Sequence, residues 1–148
     1  MKRNNLETIL IKIFKKNGLK YNHAKICSNA LINAEQVGAY SHGLSRLKMY
    51  CDRIKKKLIN PRPKIKIKKI SQSISYIDAN NCIGFVAADI AIKKAIQNAE
   101  KTGIGLVAVK NSGHYGLSGY YAEQAVKKNL ITMIYTNAPP AVAPYGSS

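Results

Sequence analysis

The stretch GIGLVAVKNSGHYGLSGYYAEQAVKK, residues 103–128, decides the fold because its pattern changes from strand to helix across a polar turn. Its first eight residues, GIGLVAVK, form an apolar run that predicts a buried strand. The glycines around His114 indicate the turn, and residues 117–128 have the pattern of a helix. The run LITMIYT, at 130–136, predicts another strand. Together these elements predict a strand–helix–strand unit and therefore an α/β fold.

Helical patterns dominate the chain upstream, to about residue 60. A first helix, ending near Gly18, is predicted by apolar residues at helical spacing. A second is predicted over residues 22–36, and a third begins near Ser41, a good N-cap residue, and ends before Pro61. The residues predicted to face inward from the second helix are Cys27, Ala30, Leu31 and Ala34.

Alternating patterns replace the helical ones after this point. The runs KIKIKKI and SISYIDA each predict a strand, and DANNCIG after them predicts a turn. Residues 84–101, rich in Ala and Ile, predict a helix that ends at Gly103. We expect the strands near 64–78 and 105–110 to lie in one sheet.

The change of pattern near NPRPK predicts two parts of the chain. Residues 1–62 are expected to form a helical N-terminal region, and residues 63–148 the first part of an α/β domain. The last residues, NAPPAVAPYGSS, are a proline-rich loop with no closing strand or helix. The α/β domain is therefore expected to be incomplete at the C-terminus.

The composition limits the classes of function. The chain has 148 residues and a formal net charge of +17, which would suit nucleic acid or an anionic surface. However, the lysines are scattered and arginine is scarce, which favours a compositional bias of the genome. The three cysteines contain no C-x-x-C pair, which argues against a disulfide framework or a zinc site. No apolar run is long enough to span a bilayer, so we expect a soluble, cytoplasmic protein.

The segment YSHGLSRLKMY carries the first group of candidate functional residues. His42, Arg46 and Tyr50 are spaced four apart, which places them on one face of the predicted third helix, beside Ser41 at its start. Arginine can hold a carboxylate through two parallel hydrogen bonds, and histidine can carry a proton near neutral pH. The spacing alone favours a solvated helix face with a serine cap over an anion site, and Tyr50 is assigned to packing.

His114 is the second candidate, and it is also ambiguous. Backbone amides in a strand-to-helix turn can approach an anionic ligand closely where glycines are present. The glycines form G-x-x-G-x-x-G, at Gly113, Gly116 and Gly119, rather than the dinucleotide fingerprint G-x-G-x-x-G. A Rossmann fold is therefore not predicted. From the pattern alone, His114 could be a residue that only stabilises its own turn.

Three motifs, GAYSHGLSRLKMY, NSGHYGLSGYYAEQA and TNAPPAVAPYG, resemble the type 2 malate/L-lactate dehydrogenase family in order and spacing. The family includes ureidoglycolate and sulfolactate dehydrogenases. The resemblance implies a helical N-terminal region on a non-Rossmann α/β domain that binds NAD or NADP, and a homodimer. It also implies hydride transfer between that cofactor and a small 2-hydroxy acid such as malate, lactate or ureidoglycolate.

The resemblance further implies roles for individual residues. Ser41 and His42 match a catalytic relay, Arg46 matches the residue that binds the substrate carboxylate, and His114 matches the catalytic acid/base. The residues implied at the cofactor are Tyr115, Gly116, Leu117, Ser118, Gly119, Asn137 and Ala138.

Length is the main departure from the family, whose members are more than twice as long. The acidic partner of the Ser-His pair has no counterpart in the three motifs. The chain is therefore expected to be a fragment or a truncated gene product, with its activity alone left open. The alternative is an inactive remnant that acts as a basic binding module, with nucleic acid contacting residues 64–69.

Overall fold

A computed structural model describes residues 3–137, and within them five α-helices and three β-strands form a mixed α/β structure. The helices and strands, in chain order, are α1 (Arg3–Lys16), α2 (Tyr21–Gln36), α3 (Leu47–Lys55), β1 (Lys66–Lys69), β2 (Ile74–Cys82), α4 (Gly84–Thr102), β3 (Leu106–Ser112) and α5 (Ser118–Val126). Two short 3-10 turns, Tyr40–His42 and Leu44–Arg46, precede α3. The predicted combination of helices and sheet is confirmed at this level.

The three strands form one sheet in the order β1-β2-β3, as expected for the segments near 64–78 and 105–110. Strand β1 runs antiparallel to β2, with Lys66 opposite Asp78. Strand β3 runs parallel to β2, with Ile74 opposite Leu106. The connection between these parallel strands is α4, so the strand–helix–strand unit is β2-α4-β3, one step earlier in the chain than predicted.

One hydrophobic core joins the N-terminal helices to β2 and α4. Phe14 from α1, Leu31 from α2 and Tyr50 from α3 are fully buried in it together with Phe85 and Val86 of α4. The four inward positions predicted on α2 are all buried, which confirms that face. No helix within residues 3–137 is long and apolar enough to cross a bilayer.

The predicted third helix is wrong in its first part, because α3 begins only at Leu47. Gly43 interrupts the helix with extended backbone, at φ −94° and ψ −140°. The Leu44 N–H donates to the Glu35 carboxylate at 2.6 Å, so it is not available for an intrahelical bond. The Ser45 hydroxyl donates to the Tyr40 carbonyl at 2.7 Å. Because these side chains bind backbone groups that a helix would pair, the segment forms two 3-10 turns instead of the first turns of a helix.

Two predictions about strands and one about a turn also need correction. The segment 130–136 is described but is not a strand, and Ile131 is 96% exposed, because it pairs with no strand of the sheet. Strand β3 forms but is largely exposed rather than buried, since it lies at the edge of the sheet beside β2 alone. The predicted DANNCIG turn is instead an irregular end of β2, where Asn80 and Asn81 have φ values of 51° and 56°.

Gly84, the first residue of α4, lets the helix press against the turn that contains His114. A Cβ at this position would overlap the carbonyl oxygens of Gly113 and His114, which are backbone atoms with little freedom to move. A Cβ at Gly119, by contrast, would meet no atom within 4 Å. The contact between α4 and the turn therefore requires glycine at 84.

We expect Gly84→Ala to destabilise the protein by about 1–3 kcal/mol, because an added methyl in a filled space forces the backbone apart. Gly119→Ala is the matched control, and we expect it to be neutral or slightly stabilising because alanine is favoured over glycine in a helix. Thermal and denaturant unfolding of both variants measures the difference. An unchanged midpoint for Gly84→Ala would contradict the contact.

Candidate active site

His114 lies in the turn between β3 and α5, and its ring faces residues from the N-terminal region. The Tyr50 hydroxyl and Nδ1 of His114 are 2.7 Å apart. The Gly116 N–H donates to the same nitrogen at 3.3 Å. The ring of Tyr50 packs against Phe85 with a centroid distance of 4.8 Å. Helix α3 and the turn after β3 thus contact the imidazole from two sides.

The Ser41-His42-Arg46 group forms a second part of the site. The Ser41 hydroxyl lies 3.0 Å from Nδ1 of His42. The Arg46 Nε donates to the Ser41 carbonyl at 2.7 Å. The serine hydroxyl does not cap a helix as predicted, because it bonds the neighbouring imidazole instead. Arg46 makes no ion pair with a carboxylate within residues 3–137, so its terminal nitrogens are available to an anionic ligand.

The two groups meet through their histidines. The rings of His42 and His114 stack with centroids 5.8 Å apart and planes inclined by 24°. All four residues predicted to act on the substrate, Ser41, His42, Arg46 and His114, are therefore brought into one cluster. They come from two stretches of sequence, residues 41–46 and the turn around residue 114, that lie far apart along the chain.

The electrostatics of the cluster disfavour a charged His114. Partial burial of its ring lowers its pKa below the ordinary histidine value, and the positive charges of His42, Arg46 and Arg53 lower it further. A neutral imidazole near neutral pH can accept a proton, which a histidine that remains charged cannot do. The cluster therefore combines a fixed positive charge with a group able to exchange a proton.

Glu35 supports this part of the site, although the sequence did not single it out. Its carboxylate accepts the Leu44 N–H, and a Cβ at Gly43 would overlap it. Gly43 thus leaves room for the Glu35 carboxylate to accept the Leu44 N–H. The contact between Glu35 and Leu44 shows this role, and no motif in the sequence around Glu35 predicts it.

Tyr50 is the functional candidate that the sequence analysis assigned to packing. It is fully buried, as that assignment requires, but its hydroxyl also contacts the imidazole of His114. Its spacing from His42 and Arg46 was the available signal.

The predicted cofactor residues Tyr115 to Gly119 form the turn and the beginning of α5. The Tyr121 hydroxyl donates to the Tyr115 carbonyl at 2.7 Å, which anchors this turn. Gly116 has φ +81°, and a Cβ there would overlap the Phe85 ring. The first turn of α5 has no side-chain cap and no acidic residue. The Tyr120 N–H donates to the Leu117 carbonyl at 3.2 Å, and the N–H groups of Ser118 and Gly119 before it fit an anionic group such as a phosphate.

The remaining two predicted cofactor residues are less informative. Asn137 is the last residue that the structure describes and is exposed. Ala138 lies outside the described residues. Two surface hollows of about 630 and 510 Å³ occur elsewhere among the described residues, and neither is lined by a predicted site residue.

In this α/β frame, the imidazole of His114 lies in one cluster with a guanidinium that pairs with no carboxylate within residues 3–137. A family model described as malate/L-lactate dehydrogenase matches residues 1–148. The chain belongs to this family. The motif resemblance found in the sequence is therefore confirmed over the whole chain.

Individual relatives agree with this assignment. The chain is 42% identical over 144 residues to a malate dehydrogenase of Pyrococcus abyssi, which covers 97% of this chain and 40% of the relative. It is 37% identical over 139 residues to the malate/(S)-sulfolactate dehydrogenase of Methanothermus fervidus, covering 94% and 41%. The solved structure of malate dehydrogenase from Pyrococcus horikoshii OT3 superposes with a TM-score of 0.89 at 35% identity, covering 99% of this chain and 42% of that one. The chain thus spans about two fifths of the length of these relatives.

Proposed function

We propose that this chain carries the substrate-binding and proton-transfer residues of an NAD(P)-dependent oxidoreductase that acts on a small 2-hydroxy acid. The observation that supports the proposal best is the convergence of two distant motifs, which stacks His42 on His114 beside Arg46. Membership of a dehydrogenase family supports the reaction type. Malate, lactate, sulfolactate and ureidoglycolate are the substrate candidates.

Arg46 is proposed to bind the carboxylate of the substrate. Its Nε is held by the Ser41 carbonyl at 2.7 Å, so the side chain is oriented before a ligand arrives. The terminal nitrogens of a guanidinium match the two oxygens of a carboxylate in a planar, two-bond contact. This contact places C2 of the substrate at a fixed distance from the imidazoles.

His114 is proposed as the acid/base. To take a proton at Nε2, a neutral His114 must carry its own hydrogen on Nδ1, where the Tyr50 oxygen, 2.7 Å away, can accept it in place of the longer contact with the Gly116 N–H. In the oxidative direction, the hydroxyl O–H bond breaks and its proton bonds to Nε2, while the oxygen electrons form the carbonyl bond. Reduction returns the proton to the oxygen. The Ser41-His42 pair is proposed to relay protons to and from this centre.

The cofactor supplies the redox chemistry, since a bound nicotinamide takes the hydride that leaves C2 of the substrate. The turn at Tyr115–Gly119 is proposed to contact it, with the uncapped N-terminus of α5 binding a phosphate. Asn137 and Ala138 are proposed to complete the contact. Both NAD and NADP remain candidates, because NAD(+) stands in the name of a 31% identical ureidoglycolate dehydrogenase and NADP(+) in that of an equally similar (2R)-3-sulfolactate dehydrogenase.

Several finer points of the proposal rest on the family resemblance. They are the non-Rossmann topology of the α/β domain, its boundary with the helical region at residues 62–63, a homodimer and a cytoplasmic location. The alternative of a basic binding module gains no support. Lys66, Lys68 and Lys69 are exposed on β1, but nothing within residues 3–137 points to a nucleic acid.

The pH dependence of substrate oxidation tests the proposal in the full-length protein. We expect kcat/KM for at least one of the four candidate acids to rise as the pH increases through the pKa of His114, because the neutral imidazole is the base. The lowered pKa places this rise below the ordinary histidine value of about 6.5. Reduction of the 2-oxo acid should fall over the same range. No turnover with any candidate, or a rise only well above pH 6.5, would contradict the proposal.

A further inference from the structure

Glu35, near the end of α2, directs its carboxylate at the backbone of a different segment. Its Oε1 accepts the Leu44 N–H at 2.6 Å, a short hydrogen bond that the negative charge strengthens. Within residues 3–137, Glu35 forms no ion pair with a basic side chain. The half-buried carboxylate therefore serves a backbone amide instead of a surface salt bridge.

The contact lies at the joint between the two 3-10 turns, which is formed by Gly43 and Leu44. A Cβ on Gly43 would overlap the Glu35 side chain, and the three atoms nearest to that position all belong to Glu35. The absence of a side chain at Gly43 thus leaves the space that the carboxylate fills. Both residues of the joint are in direct contact with Glu35.

The two turns are attached to α2 in different ways. The first turn is attached through the backbone, because the Ala39 N–H donates to the Ala34 carbonyl at 2.8 Å, and Ala34 is fully buried. The second turn carries Arg46, and its hydrogen bond to α2 is made by the Glu35 side chain. Loss of the carboxylate should therefore displace Arg46 more than His42.

The orientation of Arg46 depends on the joint. Its Nε donates to the Ser41 carbonyl at 2.7 Å, and its backbone N–H donates to the Gly43 carbonyl at 3.1 Å. Both acceptors lie at or before the joint, whereas the guanidinium lies after it. The two hydrogen bonds therefore require a fixed arrangement of one turn relative to the other.

We propose that Glu35 is a positioning residue for Arg46 and holds the joint in the arrangement that directs the guanidinium at the substrate carboxylate. Glu35 acts through the Leu44 amide and does not contact the substrate. Its meaning for substrate binding rests on the proposed function. A two-bond contact between guanidinium and carboxylate depends on direction as well as on charge, so a displaced Arg46 binds the acid less tightly.

Glu35→Ala in the full-length protein tests the inference. We expect KM for the accepted acid to rise about 10-fold, while kcat and the KM for the cofactor stay within about threefold of wild type, because the change concerns substrate binding. Glu35→Gln keeps an oxygen that can accept the Leu44 N–H, so its KM should stay within about threefold of wild type. An equal rise of KM in both variants would overturn the inference.

Glu100→Ala is the matched control, because it removes the same charge from an exposed position on α4. Glu100 approaches Lys128 at 3.8 Å and takes no part in the hydrogen bonds of the two 3-10 turns. We expect KM to stay within about threefold of wild type. A rise comparable to that of Glu35→Ala would assign the effect to net charge and contradict a positioning role.

Gly43→Ala tests the same joint from the other side. We expect it to raise KM about 10-fold, since the added methyl overlaps the Glu35 carboxylate and displaces it. In a protein that already carries Glu35→Ala, the overlapping atoms are absent, so Gly43→Ala should raise KM further by less than about threefold. Full multiplication of the two effects, to about 100-fold, would show that the residues act independently and would overturn the inference.

Two NMR signals report on the joint without catalysis. In the wild-type protein we expect the Leu44 N–H and the Nε–H of Arg46 to be protected from exchange with solvent, because both are hydrogen-bonded. In Glu35→Ala both should exchange at least about 10-fold faster. A Leu44 N–H that exchanges like an exposed amide in the wild-type protein would overturn the inference, whether or not the variant folds.

The kinetic and NMR results together separate failure of this inference from failure of the proposed function. If both signals respond to Glu35→Ala but no candidate acid is oxidised, the proposed function fails and the positioning of Arg46 stands. If an acid is oxidised but Glu35→Ala changes neither KM nor the exchange of the Arg46 Nε–H, the inference fails and the proposed function stands.

Discussion

Replacing His114 with alanine in the full-length protein should lower kcat by about 10²- to 10⁴-fold, the usual range for loss of a general acid/base. The imidazole is the group that exchanges the substrate proton in the proposed reaction. Its Nδ1 lies 2.7 Å from the Tyr50 hydroxyl, a contact that orients the imidazole. Cofactor affinity should change little, because the proposed contacts of the turn are made largely by its backbone. Steady-state kinetics and a cofactor titration measure both quantities.

His23→Ala provides the control for this experiment. His23 lies on α2, and burial together with Lys20 lowers its pKa as well, so it is a perturbed histidine outside the cluster. We expect its replacement to leave kcat within about threefold of wild type. Near-native turnover of His114→Ala with every accepted substrate would mean that His114 only stabilises its turn.

Arg46→Lys should raise KM for the 2-hydroxy and 2-oxo acids by about 10- to 100-fold, with a smaller effect on kcat. Lysine keeps the positive charge but replaces the planar pair of donors with a single charged point. It also loses the hydrogen bond from Nε to the Ser41 carbonyl, which orients the side chain in advance. The loss therefore concerns substrate binding, and kinetics with substrate varied at saturating cofactor measures it.

Arg53→Lys is the matched control for the proposed contact between Arg46 and the substrate carboxylate. Arg53 is exposed on α3, and its charge reaches His114 without its side chain joining the hydrogen bonds of the Ser41-His42-Arg46 group. We expect KM to stay within about threefold of wild type in this variant. A KM unchanged in Arg46→Lys, or raised equally in both variants, would assign the effect to general positive charge instead of a two-bond contact.

The sequence predicts best the helices and strands that bury apolar residues on one face, because that face is visible in the spacing of those residues. Helix α2 has a clear apolar stripe, and it forms over Tyr21–Gln36 with its predicted face buried. Helix α4 extends only one residue beyond its predicted end. Strand β2 alternates between buried and less buried residues over its first six positions and pairs with β1 as expected, although β1 itself is exposed throughout. In these cases the spacing of apolar residues is sufficient information.

The elements predicted wrongly depend on distant partners. The start of the third helix fails because Glu35, nine residues away, captures the Leu44 N–H. The segment 130–136 has the sequence pattern of a strand, but a strand also needs a neighbouring strand to pair with. Among the described residues, no strand lies beside this segment. The exposure of β3 has the same cause, since a strand is buried only when neighbours cover it.

The candidate site was predicted in its membership but not in its connections. The two motifs carry Ser41, His42, Arg46 and His114, and the fold brings them together. Neither motif indicates that Tyr50 contacts His114, because that contact joins residues 64 positions apart. A tyrosine can pack in the core and form a hydrogen bond at the same time, and the structure shows that Tyr50 does both.

Transfer of a labelled hydrogen tests the central claim most directly. The full-length protein is incubated with oxidised cofactor and a candidate acid carrying deuterium at C2, and the reduced cofactor is analysed by mass spectrometry and NMR. We expect deuterium at the nicotinamide ring with the wild-type protein and at least about a hundredfold slower appearance with His114→Ala. Absence of label with all four candidate acids, or equal rates of labelling in both proteins, would contradict an oxidoreductase site built on His114 and Arg46.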